Sequence, residues 1–110
     1  MIFPIDHDLH CHTVLSACSN DPKQSVDCLL AHAKKCHYTV QCVTDHLWDS
    51  LVPGASERYA PQNVEHVEQN LPMPRDEQVR MVFGCEPEFC GGKKLSLHPS
   101  HFDNFDFVNY

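Results

Sequence analysis

Positive charge is scarce in this chain. Lys and Arg together number 8 against 15 Asp and Glu, a formal net charge of -7. Nucleic-acid surfaces neutralise phosphates with Lys and Arg, so a general nucleic-acid binder is excluded as a class. A small anionic substrate stays open, because bound divalent cations reverse the local charge. Long apolar runs are missing too. None approaches the roughly 20 residues needed to span a bilayer, so no membrane partner is expected. Met1-Ile2-Phe3-Pro4-Ile5 is short and runs straight into acidic residues, unlike a secretory leader, and a cytoplasmic location is the expectation. CxxC pairs are absent, which removes zinc fingers and ribbons. The cysteines that are present number 7, an odd count, and without a leader they read as reduced thiols. Cys28, Cys36 and Cys42 sit among apolar neighbours and read as small core residues.

What remains is a chain of 110 residues, 42% hydrophobic and 21% charged, long enough for one soluble domain with a modest core. Its most informative stretch is Asp6-His7-Asp8-Leu9-His10-Cys11-His12-Thr13. Strand side chains alternate, so Asp6, Asp8, His10 and His12 are expected on one face and Ile5, His7, Leu9 and Cys11 on the other. Two imidazoles two residues apart on one face can reach a single ion, and neutral imidazole suits zinc, iron or manganese.

Downstream, the pattern predicts alternating strands and helices. Pro4 to Leu9 reads as a first strand and Thr13 to Gln24 as polar loop. Ser25 is a natural N-cap for a helix carrying Val26, Leu29, Leu30 and Ala33 at helical spacing, with Lys34 and Lys35 near its end. His37 then occupies the place of a helix-ending glycine, where a left-handed backbone is expected. Thr39 to Thr44 is a second strand ending in Asp45-His46, and Leu47 to Ala60 a long loop. Gln62 to Leu71 is a second helix, Val79 to Cys85 a third strand, and Phe105 to Val108 the start of a fourth after a turn or helix at Pro99 to Asp103. This order favours an α/β fold with a parallel sheet, whose functional groups gather where strands end. His10/His12, Asp45-His46 and Glu86 then lie on one rim, each from a different strand. Glu88 shares the face of Glu86, but Glu86 stands directly at the strand end after Gly84 and is the preferred carboxylate, placed to bridge two ions. His7, His32, His37 and His66 read as ordinary surface histidines.

Asp8-Leu9-His10-Cys11-His12-Thr13, Ser16, Val43-Thr44-Asp45-His46 and Phe83-Gly84-Cys85-Glu86 together resemble the PHP (polymerase and histidinol phosphatase) family. Leu15 to Asp21 and Phe102 to Phe107 are similar to its histidinol-phosphatase-like branch. The resemblance implies a distorted (β/α)7 TIM-like barrel, up to three divalent ions (zinc, manganese or iron), and hydrolysis of a small phosphate monoester such as histidinol phosphate. Carried over by motif, His10 and His12 would hold one ion, His46 another, and Glu86 would bridge. Cys18 falls where family members often have His or Asp, and is either a substitute thiolate ligand or a lost one. Asp45 is assigned to the catalytic apparatus, where it or Asp8 would orient a ligating imidazole from behind.

A complete barrel of this kind needs about 200 residues or more. Residues 1 to 110 are therefore expected to be the N-terminal βα units of an incomplete barrel, whose open sheet edges invite self-association. Two other readings compete with the phosphoesterase. One is a non-catalytic metal- or partner-binding module. The other is an amidohydrolase-like hydrolase, which also places HxH on its first strand.

Overall fold

The computed structural model describes residues 7–16, 24–91 and 94–109. Its frame is a four-stranded sheet in the order β1 (His7–Asp8), β2 (Val40–Leu47), β3 (Arg80–Pro87), β4 (Phe107–Val108). Every neighbouring pair is parallel. Helix α1 (Val26–Lys35) connects β1 to β2, and the short α2 (Val64–Val67) lies between β2 and β3. The expected parallel α/β arrangement is thus what the residues form.

Local chemistry explains the elements. Ser25 Oγ accepts from the Cys28 amide at 3.2 Å, Asp27 occupies the first turn, and Leu29 and Ala33 are the buried stripe. His37 takes φ 60°, the left-handed exit expected of it. The buried stripe passes between two of the cysteines assigned to the core. Cys42 is 2% exposed, but Cys28 is exposed and Cys36 only half-buried. Cys28 sits one position before Leu29, about 100° around the helix and therefore off the packed face.

Strands β2 and β3 both run further than their apolar stretches suggest. They pair residue for residue from Val40↔Arg80 to Leu47↔Pro87, which carries Asp45, His46 and Glu86 inside the sheet. The second helix is shorter than Gln62 to Leu71. Gln62 is withheld from it because its carbonyl accepts from the Trp48 amide and its side chain donates to the His46 carbonyl. Asn63 is the cap instead, accepting from the His66 amide at 3.0 Å, and a 3-10 turn over Glu68–Asn70 finishes the segment.

In a parallel pair, register partners share a face. Val43/Phe83, Asp45/Cys85 and Leu47/Pro87 face the helices, and Thr44/Gly84 and His46/Glu86 face the other way. The helix side holds the core of Leu47, Val64, Val67, Phe83, Cys85, Leu97 and Phe105. Phe83 and Phe105 stack with centroids 5.0 Å apart. Each such side chain contributes about 1.5–3 kcal/mol by burial. α1 covers the same side, where Leu29 and His32 line one cavity with Asp8 and Gln41. Gly84 is required by β4: a Cβ there would meet the Phe107 carbonyl oxygen at 2.7 Å and Thr44 Cγ2 at 3.2 Å. Among the described residues no helix is long and apolar enough to cross a membrane.

Candidate metal centre

The histidine pair reaches the sheet's open face because the first strand stops early. The register His7↔Val40 and Asp8↔Gln41 is kept at Cys11, whose carbonyl accepts from the Thr44 amide at 2.7 Å and whose amide donates to Thr44 Oγ1 at 3.1 Å. An unbroken pleat would have put His10 and His12 on the helix side with Asp8 and Gln41. The residues after Asp8 are not strand, and the break turns both imidazoles to the opposite face. Asp8 stays behind, its Oδ2 accepting from Gln41 Nε2 at 3.2 Å and its Oδ1 from the His10 amide at 3.1 Å. Asp8, His10 and His12 therefore do not project together as strict alternation predicted.

On that face β2 contributes His46 and β3 its register partner Glu86. Glu86 Oε2 contacts His10 Nε2 and lies 3.0 Å from His12 Nε2, and the two imidazole nitrogens are 3.3 Å apart. The other oxygen, Oε1, is 3.6 Å from His46 Nδ1. Glu88 Oε1 approaches the same nitrogen at 3.2 Å. The His12 and His46 rings stand 4.3 Å apart, so all three imidazoles are near neighbours. Among the described residues two groups with ligand atoms within 4.8 Å of one another result: His10, His12, Glu86 and His46, Glu86, Glu88. Glu86 belongs to both.

The residues fit divalent ions by an independent sign. Among the described residues, His46 Nδ1 is buried and makes no hydrogen bond, although two carboxylates stand beside it. A buried ring nitrogen without a hydrogen-bond partner is costly, and a cation between it and the carboxylates would satisfy all three. Imidazole and carboxylate donors together suit zinc, manganese or iron.

The sequence expectations meet this geometry unevenly. His10, His12, His46 and Glu86 are brought together. Cys18 lies outside the described residues. Glu88, set aside in favour of Glu86, stands beside His46 as closely as Glu86 does. Tyr59 carried no sequence signal, lying in an irregular segment, yet its ring meets His46 edge-on at 6.0 Å and its hydroxyl donates to Glu88 Oε1 at 3.4 Å.

Asp45 does not do what was expected of it. It points to the helix side, fully buried, and touches no imidazole. Its Oδ1 accepts from the Thr13 amide (2.6 Å) and Ser16 Oγ (2.7 Å), and its Oδ2 from Thr13 Oγ1 (2.6 Å) and Asn70 Nδ2 (2.8 Å). Four donors use the carboxylate's capacity, so no site remains for orienting a ligand. Ser16 Oγ in turn accepts from the His46 amide at 3.0 Å. Asp45 is thus a positioning residue that ties the loop after His12 to the end of β2. Among the described residues Asp8 reaches the His10 backbone and Gln41, and it orients no imidazole either.

Beyond His46 the rim is held by a second buried carboxylate. Asp49 Oδ2 accepts from His101 Nδ1 (2.6 Å) and the His98 amide (3.0 Å), and Oδ1 from the Leu51 amide (3.0 Å). Burial alone would push this carboxyl up. The bonds from Leu51, His101 and His98 outweigh it and hold Asp49 below the ordinary carboxylate range. Ser96, also buried, donates to the Leu47 carbonyl at 2.6 Å and accepts from the Glu88 amide at 2.7 Å, which fixes Glu88 against β2. Burial, with the Asp8 and Asp45 charges, raises the Cys11 thiol to about 11, so the residue between the two histidines stays a neutral thiol. Comparison with family models, curated proteins and solved structures finds no match.

Proposed function

We propose that this chain carries a metal-dependent phosphoesterase centre of the PHP kind, acting on a small phosphate monoester such as histidinol phosphate. The observation that carries the reading is Glu86, one oxygen turned to His10 and His12 and the other to His46. A carboxylate shared between two ligand groups could bridge two ions, and such an ion pair stabilises both the attacking and the leaving oxygen of a phosphoryl displacement. The sheet supports the same reading: its strands follow in sequence order, all parallel, with α1 and α2 on one side, as in the opening units of a (β/α)7 barrel. The ligands stand at the C-terminal ends of those strands.

Divalent ions bound here would lower the pKa of water and neutralise charge on the phosphoryl oxygens. The chain's own part is to hold them. His10 and His12 face one side of Glu86, and His46 and Glu88 the other. Asp45 keeps the first pair's loop in register with His46, and Tyr59 steadies Glu88.

In the family, further His and Asp ligands come from later strands. The test is p-nitrophenyl phosphate hydrolysis with manganese or zinc, by the chain alone and with a C-terminal PHP portion supplied in trans. Turnover that rises on complementation and is lost in Glu86→Gln is the expected result. No turnover with either ion under either condition overturns the reading. Tight ion binding without turnover would favour a non-catalytic metal-binding module, and carbon–nitrogen hydrolysis an amidohydrolase-like enzyme.

A further inference from the structure

Ligand-type atoms also meet on α1, which covers the opposite side of the sheet from His46 and Glu86. His32 and Cys36 are one helical turn apart, and Cys36 Sγ lies 3.4 Å from His32 Nε2. A tetrahedral zinc ion, with Zn–S about 2.3 Å and Zn–N about 2.0–2.1 Å, holds its sulfur and nitrogen ligands about 3.5 Å apart. The pair is therefore already at the separation that one ion would impose. His32 is exposed and Cys36 half-buried, so an ion can enter from solvent without opening the core. Tyr38 meets the His32 ring edge-on at 6.4 Å.

We infer that His32 and Cys36 form a second, surface metal site that takes a thiophilic divalent cation of the zinc class. Cys36 is the C-cap of α1, where the carbonyl ends of the helix favour a cation. The thiolate donor selects zinc-class ions over manganese, unlike the nitrogen and oxygen set at Glu86. As the sulfur–metal bond forms, the Cys36 thiol gives its proton to solvent, and the coordination positions left over are filled by water. Cys28, also exposed, does not share the ion. It precedes Cys36 by eight residues, a rise of about 12 Å, beyond the reach of two thiolates on one metal.

Cobalt(II) is the probe, because only a thiolate ligand adds a sulfur-to-cobalt charge-transfer band in the near ultraviolet. The centre around Glu86 holds no sulfur among its described ligands, and every cobalt sample carries Cys18→Ser to remove the one candidate thiolate outside them, so the two sites are read separately. The band is expected in this background alone, with Glu86→Gln and with Cys28→Ser, and is expected to be lost with Cys36→Ser and with His32→Ala. Zinc is also expected to slow alkylation of Cys36 in the wild-type protein, read by peptide mass mapping, while leaving Cys28 unprotected. No band in the Cys18→Ser background, or a band unchanged by Cys36→Ser, overturns the inference. Unslowed alkylation of Cys36 under saturating zinc overturns it without recourse to a variant.

Discussion

His46 and Glu86 are register partners across β2 and β3, and Glu86 carries its second oxygen on to His12, 3.0 Å away. One carboxylate therefore joins two adjacent strands to the segment that follows a third. The geometry depends on supports that lie outside the cluster, and these make the account testable.

Asp45 is the first such support. Its carboxylate is buried and receives four hydrogen bonds from Thr13, Ser16 and Asn70. Asp45→Ala leaves those donors unmet, and the expected loss is at least about 3 kcal/mol, given the cost of stranding buried partners of a charge. Urea denaturation measures it. Glu88→Gln, on the solvent side of the sheet, is expected to change the midpoint little by the same method.

Gly84 is the second. A methyl group there meets the Phe107 carbonyl oxygen at 2.7 Å, and a backbone atom within a strand pair has little room to retreat. Gly84→Ala is expected to destabilise the protein by about 1–3 kcal/mol, the usual cost of overpacking. Amide exchange is expected to quicken at Asp106 and Asn109, whose N–H groups donate to the Phe83 and Cys85 carbonyls.

Asp49 makes stability depend on acid. Its folded carboxyl lies below the unfolded value of 3.8. The contribution is therefore fully present above the unfolded value and is lost as pH falls through the lower folded one. At pH 7 Asp49→Asn is expected to cost about 1.5–3 kcal/mol, the range for hydrogen bonds to a charged group. The gap between wild type and variant in urea midpoint is expected to narrow as the pH is taken below 3.8, and a constant gap would contradict this assignment.

Much of this frame is legible in the residues. Ser25 announces the start of α1, His37 its left-handed exit, and the three separated motifs around His10/His12, His46 and Glu86 converge as their strand ends suggest. Counting by twos works for β2 and β3 because they pair without interruption. It fails after Asp8, because the early end of a strand is invisible to a pattern that assumes an unbroken pleat. The role of Asp45 was hidden for a related reason: its partners Thr13, Ser16 and Asn70 come from loops and helix ends, which only the fold brings together. Cys28 looked like core because its neighbours are apolar, yet helical geometry turns it one step off the buried stripe. Tyr59 could be found only in three dimensions.

The central claim is that Glu86 is shared by two metal-binding groups. Equilibrium dialysis with manganese or zinc, followed by elemental analysis, tests it most directly when wild type, Glu86→Gln and Glu88→Gln are compared in a Cys36→Ser background. The account predicts that Glu86→Gln weakens binding at both groups by at least about 10- to 100-fold, the scale of losses seen when even a ligand's supporting contact is removed. Glu88→Gln is predicted to weaken only the group built on His46. Ion binding that is unchanged in Glu86→Gln would contradict the account.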